Sequence, residues 1–88
     1  MVNIELDNKH RLISDSMNYI IEETKVVKDG DRKGEEYKVS VGYYSTLQGA
    51  LKGYKELKIR TSDAKTINEI LEVVKETDNK INEILGGI

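Results

Sequence analysis

The sequence predicts an α+β domain in which an antiparallel sheet of three or four strands is followed by two C-terminal helices. Apolar and polar residues alternate through much of residues 2–44, and apolar residues recur at helical spacing in the second half of the chain. Strands followed by helices are typical of an α+β fold. At 88 residues the chain is long enough for one hydrophobic core, so we expect a single domain over residues 1–88.

The strands are predicted within residues 2–44. Residues 2–6 alternate between aliphatic and polar side chains, which is the period of a strand with one buried face, and residues 11–14 predict a short second strand. Residues 19–27 are rich in β-branched and aromatic residues, which favours a third strand. The turn between the first two strands contains the single histidine, His10, which we expect to be solvated.

The clearest strand pattern runs from Tyr37 to Tyr43, where every second residue is tyrosine or valine. A polar connection with two glycines, residues 28–36, precedes it, so this strand should pair antiparallel with the strand before the loop. The alternation predicts that Tyr37 and Tyr43 share a face and that at least one of them points inward. Tyr44 is then the better candidate for an exposed contact.

Two helices are predicted, at residues 46–58 and 66–85. A capping box at Ser45–Gln48 would start the first helix, and another at Thr66–Glu69 would start the second. Each helix carries an apolar stripe at spacings of three and four residues, and the first helix should cover one face of the sheet. Ile59 departs from that stripe, so either the helix ends before it or Ile59 is exposed for a reason.

The second helix is expected to pack on the domain with its first half and on another molecule with its second half. Ile70, Leu71 and Val74 should join the core. The apolar residues near its end exceed what so small a domain can bury, which predicts a self-association surface and a homodimer. The residues of this surface are Ile81, Ile84, Leu85 and Ile88.

Composition and motifs exclude several kinds of function. The chain has no cysteine, which rules out disulfides and thiolate metal sites. The first residues lack the pattern of a secretion signal, and no apolar run approaches a membrane span, which predicts a cytoplasmic protein without membrane contact. Nucleophilic catalysis would depend on His10 alone, and the segment Gly30–Gly34 lacks the phosphate-loop pattern. We therefore predict no enzyme activity, no catalytic residue, no cofactor and no metal site.

A local basic surface on the first helix is the candidate partner site. The net charge is −2, yet residues 45–62 carry four basic groups and one acidic group. Cations on one face could contact phosphates, although so few would bind nucleic acid weakly and in a salt-sensitive way. A solvated lysine face on an amphipathic helix is the simpler explanation. The candidate partner-binding residues are Tyr44, Gln48, Lys52, Lys55, Ile59 and Arg60.

Residues Gly42–Tyr54 read GYYSTLQGALKGY, and residues Leu57–Ala64 read LKIRTSDA. With the strands before them and the acidic last helix, these segments resemble short proteins from phages and prophages of low-GC Gram-positive bacteria. The resemblance covers roughly residues 18–85. It implies a virus-derived accessory protein in the host cytoplasm and assigns no catalytic or binding residue.

The resemblance implies three classes of function. The first is a stoichiometric inhibitor of a host defence complex, such as an anti-CRISPR protein, which needs no active site and has a host protein complex as its partner. The second is a nucleic-acid accessory factor of phage replication or recombination, which would use Lys52, Lys55 and Arg60. The third is a nucleotide-binding sponge with a pocket at a subunit interface.

Overall fold

The computed structural model describes residues 1–86 as a four-stranded antiparallel sheet followed by two helices, which confirms the predicted α+β class. The strands are β1 (Asn3–Glu5), β2 (His10–Ser14), β3 (Tyr19–Val26) and β4 (Glu36–Tyr44), and the helices are α1 (Leu47–Arg60) and α2 (Ile67–Gly86). The chain divides into two compact units, Met1–Ala50 and Leu51–Ile88. A single domain over the whole chain stays a prediction.

The sheet is a meander in which each strand pairs antiparallel with its neighbour in sequence, in the order β1-β2-β3-β4. The predicted antiparallel pairing of β3 and β4 is confirmed. The two edge strands differ in length, since β1 has three residues and β4 has nine. Within residues 1–86 no strand pairs with the outer side of β4, so its backbone presents a long open edge.

A β-bulge in β4 decides which of its side chains share a face. The pairing register shifts between Ile21 and Glu22 of β3, so that Val41 is an extra residue in β4. Because side chains alternate with a period of two, one extra residue reverses the facing of everything beyond it. Tyr37 and Tyr43 therefore lie on opposite faces of the sheet, and the prediction that they share a face is wrong.

The first unit has a well-buried aliphatic core. Leu12 of β2 and Ile21 of β3 are direct cross-strand partners, and each is 1% exposed. Such pairs of aliphatic side chains stabilise a sheet through burial and mutual packing. The buried hydrophobic residues of this unit are Leu6, Leu12, Ile20, Ile21 and Ala50.

The N-cap of helix α1 is Thr46, one residue after the predicted N-cap Ser45. The backbone amide of Gly49 donates to Oγ1 of Thr46 at 3.0 Å, so Thr46 is the N-cap residue. Ser45 and Gln48, which were expected to form the capping box, both have exposed side chains. The helix also lacks a glutamate or glutamine at the third position after Thr46, because Gly49 stands there.

Helix α1 ends two residues beyond the predicted boundary, at Arg60. The hydroxyl groups of Thr61 and Ser62 donate to the backbone carbonyl oxygens of Leu57 and Ile59 at 2.8 and 2.7 Å. These bonds satisfy carbonyl groups that the last helical turn leaves without a partner in the helix. Ile59 lies inside α1 and is half-buried, so the predicted end of the helix before Ile59 is wrong.

Helix α2 has the N-cap that the sequence predicts. Oγ1 of Thr66 accepts a hydrogen bond from the backbone amide of Glu69 at 3.1 Å. The Glu69 carboxylate reaches back as expected in a capping box, but it accepts from the amide of Lys65, at 2.6 Å. The reciprocal bond is therefore shifted by one residue.

The second unit has fewer buried side chains among the described residues. Tyr54 of α1 is 0% exposed and Thr77 of α2 is 5% exposed, while an ion pair joins Lys55 Nζ to Asp78 Oδ1 at 3.0 Å. Leu71, which was expected in the core, is 58% exposed, because it lies at the margin of the apolar stripe of α2.

Candidate functional site

One face of the sheet carries an apolar row that runs from the half-buried Ile13 through the buried Ile20 to an exposed tyrosine. The register places Ile13, Ile20 and Tyr43 opposite one another on adjacent strands β2, β3 and β4. Tyr43 is 64% exposed, and the neighbouring bulge residue Val41 is 39% exposed. A large, rigid ring with a polar tip is a frequent anchor in protein interfaces. We refer to Ile13, Ile20, Val41 and Tyr43 as the outer row.

Tyr44 is half-buried, so the expected order of exposure of the two adjacent tyrosines is reversed. Its ring lies over Gly42, where a Cβ atom would come within 2.5 Å of the Tyr44 hydroxyl oxygen. The absence of a side chain at Gly42 therefore provides the space that the ring occupies. Tyr44 stays a predicted partner-binding residue, although its exposed fraction is smaller than that of Tyr43.

The predicted partner face on α1 is only partly basic. Lys52 and Arg60 are exposed, but the exposed Glu56 stands between them at four-residue spacing on the same side of the helix. Lys55 is paired with Asp78 and so is partly neutralised. Gln48 is exposed and Ile59 is half-buried. The face stays a candidate, with two exposed cations separated by an acidic residue.

The predicted self-association residues lie in the last two turns of α2. Ile81 and Ile84 are half-buried, and Leu85 is 40% exposed. Ile88 lies outside the described residues. At the other end of the helix Ile67 is 71% exposed. Exposed apolar side chains therefore stand at both ends of α2.

His10 is buried between two carboxylates rather than solvated in a turn. Its ring is 9% exposed, Nδ1 lies 3.0 Å from both carboxylate oxygens of Asp7, and Nε2 lies 3.6 Å from Oε1 of Glu23. Asp7 also accepts from the backbone amides of Lys9 and His10 at 2.7 and 2.9 Å, which holds the turn between β1 and β2. Each ring nitrogen therefore has a carboxylate near it. The cluster joins the β1–β2 turn, which carries Asp7, to Glu23 of β3 and has a structural role.

No group of three or more histidine or acidic side chains among residues 1–86 is arranged to hold a metal ion. Among the same residues, no helix combines the length and the hydrophobicity that crossing a bilayer requires. The pKa of Asp15 is lowered by hydrogen bonds from the backbone amides of Met17 and Asn18. These bonds belong to the turn between β2 and β3, so the shift indicates a tight turn rather than a reactive carboxylate.

A groove of about 770 Å³ lies at one end of the sheet, in the first unit. Lys9 joins it because its carbonyl oxygen accepts from the amide of Thr24 at 2.7 Å, which draws the β1–β2 turn against β3. Sequence reasoning missed this site, since Lys9 is far in the chain from Lys25 and Lys28 and joins them only through the packing of the turn against β3. We call it the lysine groove, and its lining residues are Lys9, Glu23, Thr24, Lys25, Val26, Val27, Lys28 and Tyr37.

Comparison with known proteins finds two similar phage proteins. One is an uncharacterised 10.2 kDa protein in the GpA 5′ region of Escherichia phage P2, 28% identical over 86 residues, which are 98% of this chain and 94% of the relative. The other is an uncharacterised 10.4 kDa protein in the GpA 5′ region of Escherichia phage 186, 30% identical over 74 residues, which are 84% of this chain and 81% of the relative.

These relatives confirm the predicted resemblance to small phage proteins. Both come from phages of Escherichia, a Gram-negative genus, so they support neither a low-GC Gram-positive origin nor the motif on which the resemblance was based. No protein-family model matches the chain. No solved structure matches it either.

Proposed function

The chain belongs to the family of small phage proteins represented in the GpA 5′ region of Escherichia phages P2 and 186, and on that premise we propose that it is a non-enzymatic inhibitor that binds a host defence complex stoichiometrically. An inhibitor of this kind resembles an anti-CRISPR protein in its mode of action. It acts in the host cytoplasm and depends on a binding surface instead of a reactive site.

The observation that carries the proposal is the exposure of Tyr43 at the end of the outer row. Isolated exposed apolar residues are common on protein surfaces. Here the exposed ring continues a row of aliphatic side chains, Ile13 and Ile20, and the bulge residue Val41 two positions earlier in β4 is also exposed. An aromatic side chain at the margin of an apolar surface has the composition of an interface anchor.

The partner that this surface fits is an extended strand of a host protein. The open edge of β4 offers a line of backbone donors and acceptors, to which an incoming strand can add. Tyr43 and Val41 then supply side-chain contacts beside the new backbone bonds. The exposed Lys52 and Arg60 of α1 are candidate secondary contacts to acidic groups.

The defining experiment combines a plating assay with affinity capture. A phage restricted by a defence system of the host should plate efficiently when this protein is expressed, and the tagged protein should retain the defence complex after nuclease treatment. The variant Tyr43→Ser should lose both effects. Its matched control is Tyr37→Ser, which removes the other exposed tyrosine of β4 from the opposite face and should leave both unchanged.

Other outcomes of the same experiment identify the alternatives. Nucleic acid or replication proteins that are lost on nuclease treatment would reject the inhibitor and favour the accessory factor of replication or recombination, for which Lys52 and Arg60 are the available cations. An empty capture together with unchanged plating would reject both of these protein- and DNA-directed functions. The nucleotide-binding sponge would then be tested by thermal shift with cyclic nucleotides.

We also propose that the protein forms a homodimer through Ile81, Ile84, Leu85 and Ile88. Leu85 is 40% exposed at the end of an otherwise half-buried apolar row, and such surfaces are stabilised by an identical partner. Ile81→Glu with Leu85→Glu should give a folded monomer of 10.0 kDa by light scattering, against twice that mass for the unmodified chain.

The matched control for the dimer places the same two charges on the polar side of α2, as Asn68→Glu with Asn79→Glu. This control should keep the dimeric mass. If Ile81→Glu with Leu85→Glu keeps the mass of the unmodified chain, the dimer surface lies elsewhere or does not exist.

A further inference from the structure

We propose that the lysine groove binds a free mononucleotide, whose phosphate contacts the lysines and whose base stacks on Tyr37. This site is separate from the outer row, because Tyr37 and Tyr43 lie on opposite faces of the sheet. It does not depend on the proposed inhibition of a host complex. The argument rests on the charge of the groove, its aromatic wall, its size and the acidic surface beyond it.

The charge of the groove favours an anion. Lys9, Lys25 and Lys28 line it together with one acidic residue, Glu23, which gives a formal charge of +2 from three lysines and one glutamate. Lys9 and Lys28 have exposed side chains, and Lys25 is 48% exposed with its Nζ 3.9 Å from Glu23 Oε2. At that distance the pair is a weak one, and the ammonium group retains donors for a phosphate.

The aromatic wall of the groove is positioned by strand pairing. Tyr37 is the direct cross-strand partner of Lys25, so its ring stands on the same face of the sheet as the lysine. The ring is 45% exposed and lies in the same lining as Val27. A flat apolar surface beside cations is the arrangement that receives a base and its phosphate, since every base has a π-face that can stack on an aromatic ring.

Glu23 gives the site a polar group that can orient the base. It is 25% exposed, and one carboxylate oxygen, Oε1, lies 3.6 Å from Nε2 of the buried His10. Its other oxygen, Oε2, lies 3.9 Å from Nζ of Lys25, so the carboxylate stands between the histidine and the lysine. A carboxylate held in this way can accept a hydrogen bond from an exocyclic amine, which uracil and thymine lack. The groove should therefore prefer adenine, cytosine or guanine, which carry such an amine, over thymine.

The size of the groove and its surroundings limit the ligand to one nucleotide. A volume of about 770 Å³ falls within the usual range for small-molecule sites. Beyond Tyr37 a second depression has a mainly acidic lining, and a phosphate chain continuing past the ring would meet these carboxylates. The acidic residues of that depression are Asp29, Asp31, Glu35 and Glu36. A polynucleotide is therefore disfavoured.

The test is a titration of the full chain by isothermal calorimetry and amide-resolved NMR. Adenosine 5′-monophosphate should bind saturably with a Kd below about 1 mM. Adenosine and inorganic phosphate should each have a Kd at least about tenfold higher, because each makes only part of the contacts. Thymidine 5′-monophosphate should bind more weakly than the adenine nucleotide. The shifted amides should be those of the groove, including Lys25 and Tyr37.

Two variants test the assignment of the residues. Lys25→Gln with Lys28→Gln should weaken binding of adenosine 5′-monophosphate about tenfold, since it removes charge-assisted hydrogen bonds to the phosphate. Tyr37→Leu should preserve an apolar wall and lose the preference for the nucleotide over inorganic phosphate. Lys33→Gln, in the loop between β3 and β4 and outside the lining, is the control that should bind like the unmodified chain.

Three results would overturn the proposal. The first is an absence of saturable binding of adenosine 5′-monophosphate. The second is binding that the groove variants leave unchanged while their amide spectra show a folded chain. The third is binding of an oligothymidylate of about ten nucleotides without binding of the mononucleotide, which would indicate a surface that binds single-stranded nucleic acid. These measurements use neither the plating assay nor the affinity capture that test the inhibitor. The two proposals can therefore fail separately.

Discussion

The two compact units of the chain differ in how many of their apolar side chains are fully buried. In the first unit Leu12 and Ile21 are each 1% exposed, whereas in the second Ile67 and Leu71 are 71% and 58% exposed. Burial of apolar area is the main favourable contribution to folding, and exposed apolar area can be buried when the protein binds a partner. Among the described residues, five of the six buried apolar side chains belong to the sheet unit, which indicates that this unit supplies most of the stability, whereas exposed apolar side chains occur in both units.

Leucine-to-alanine substitutions in the two units give the largest expected contrast. Leu12→Ala should lower the free energy of unfolding by about 3 kcal/mol, because it removes a fully buried side chain and leaves a cavity beside Ile21. Leu71→Ala should change it by no more than about 0.5 kcal/mol, since most of that side chain is already in water. Urea unfolding followed by circular dichroism measures both.

Equal losses of stability for these two substitutions would contradict the conclusion that the sheet unit supplies most of the stability. A large loss for Leu71→Ala, measured well below the concentration at which the protein associates, would mean that the helical unit contributes as much to folding as the sheet. A small loss for Leu12→Ala would mean that the sheet collapses around the missing side chain.

A smaller effect is expected at the boundary between the units, which lies inside α1 after Ala50. The N-cap Thr46 therefore belongs to the sheet unit, although most of the helix that it caps belongs to the helical unit. Thr46→Ala should cost about 1 kcal/mol of stability, because the amide of Gly49 loses its acceptor. The control Ser45→Ala should lie within about 0.5 kcal/mol of the unmodified chain.

The relative size of these two effects also tests the cap assignment. If Ser45→Ala costs more than Thr46→Ala, the capping box expected from the sequence is the one that forms. Circular dichroism at 222 nm would report the loss of helix directly, and the unfolding midpoint would report its energetic consequence.

The sequence predicted the elements of the fold well because their signals are local. Alternation over Tyr37–Tyr43 and helical spacing after Leu47 depend on neighbouring residues, and these located β4, α1 and α2 within a few residues. The cap of α1 was misplaced because Ser45 and Thr46 are adjacent and either hydroxyl can cap a helix. Here only the three-dimensional structure distinguishes them.

The candidate sites were harder to predict, since they depend on pairing between distant residues. The bulge at Val41 leaves no mark in the alternation itself, and it decided which of Tyr37 and Tyr43 faces the lysines. The burial of His10 depends on Glu23, which is thirteen residues away, although the nearby Asp7 was a usable signal for an ordered turn. The partner face on α1 stays a prediction from the sequence, which did not indicate that Lys55 pairs with Asp78.

The bulge also determines where the length of β4 can change. Deleting Val41 would place Ser40 next to Gly42 and leave a regular ladder, so that every other side chain of the strand would keep its side of the sheet. Deletion of any residue between Tyr37 and Ser40 would instead turn part of the strand over. In alignments of the family, a one-residue gap in this strand is therefore expected at Val41.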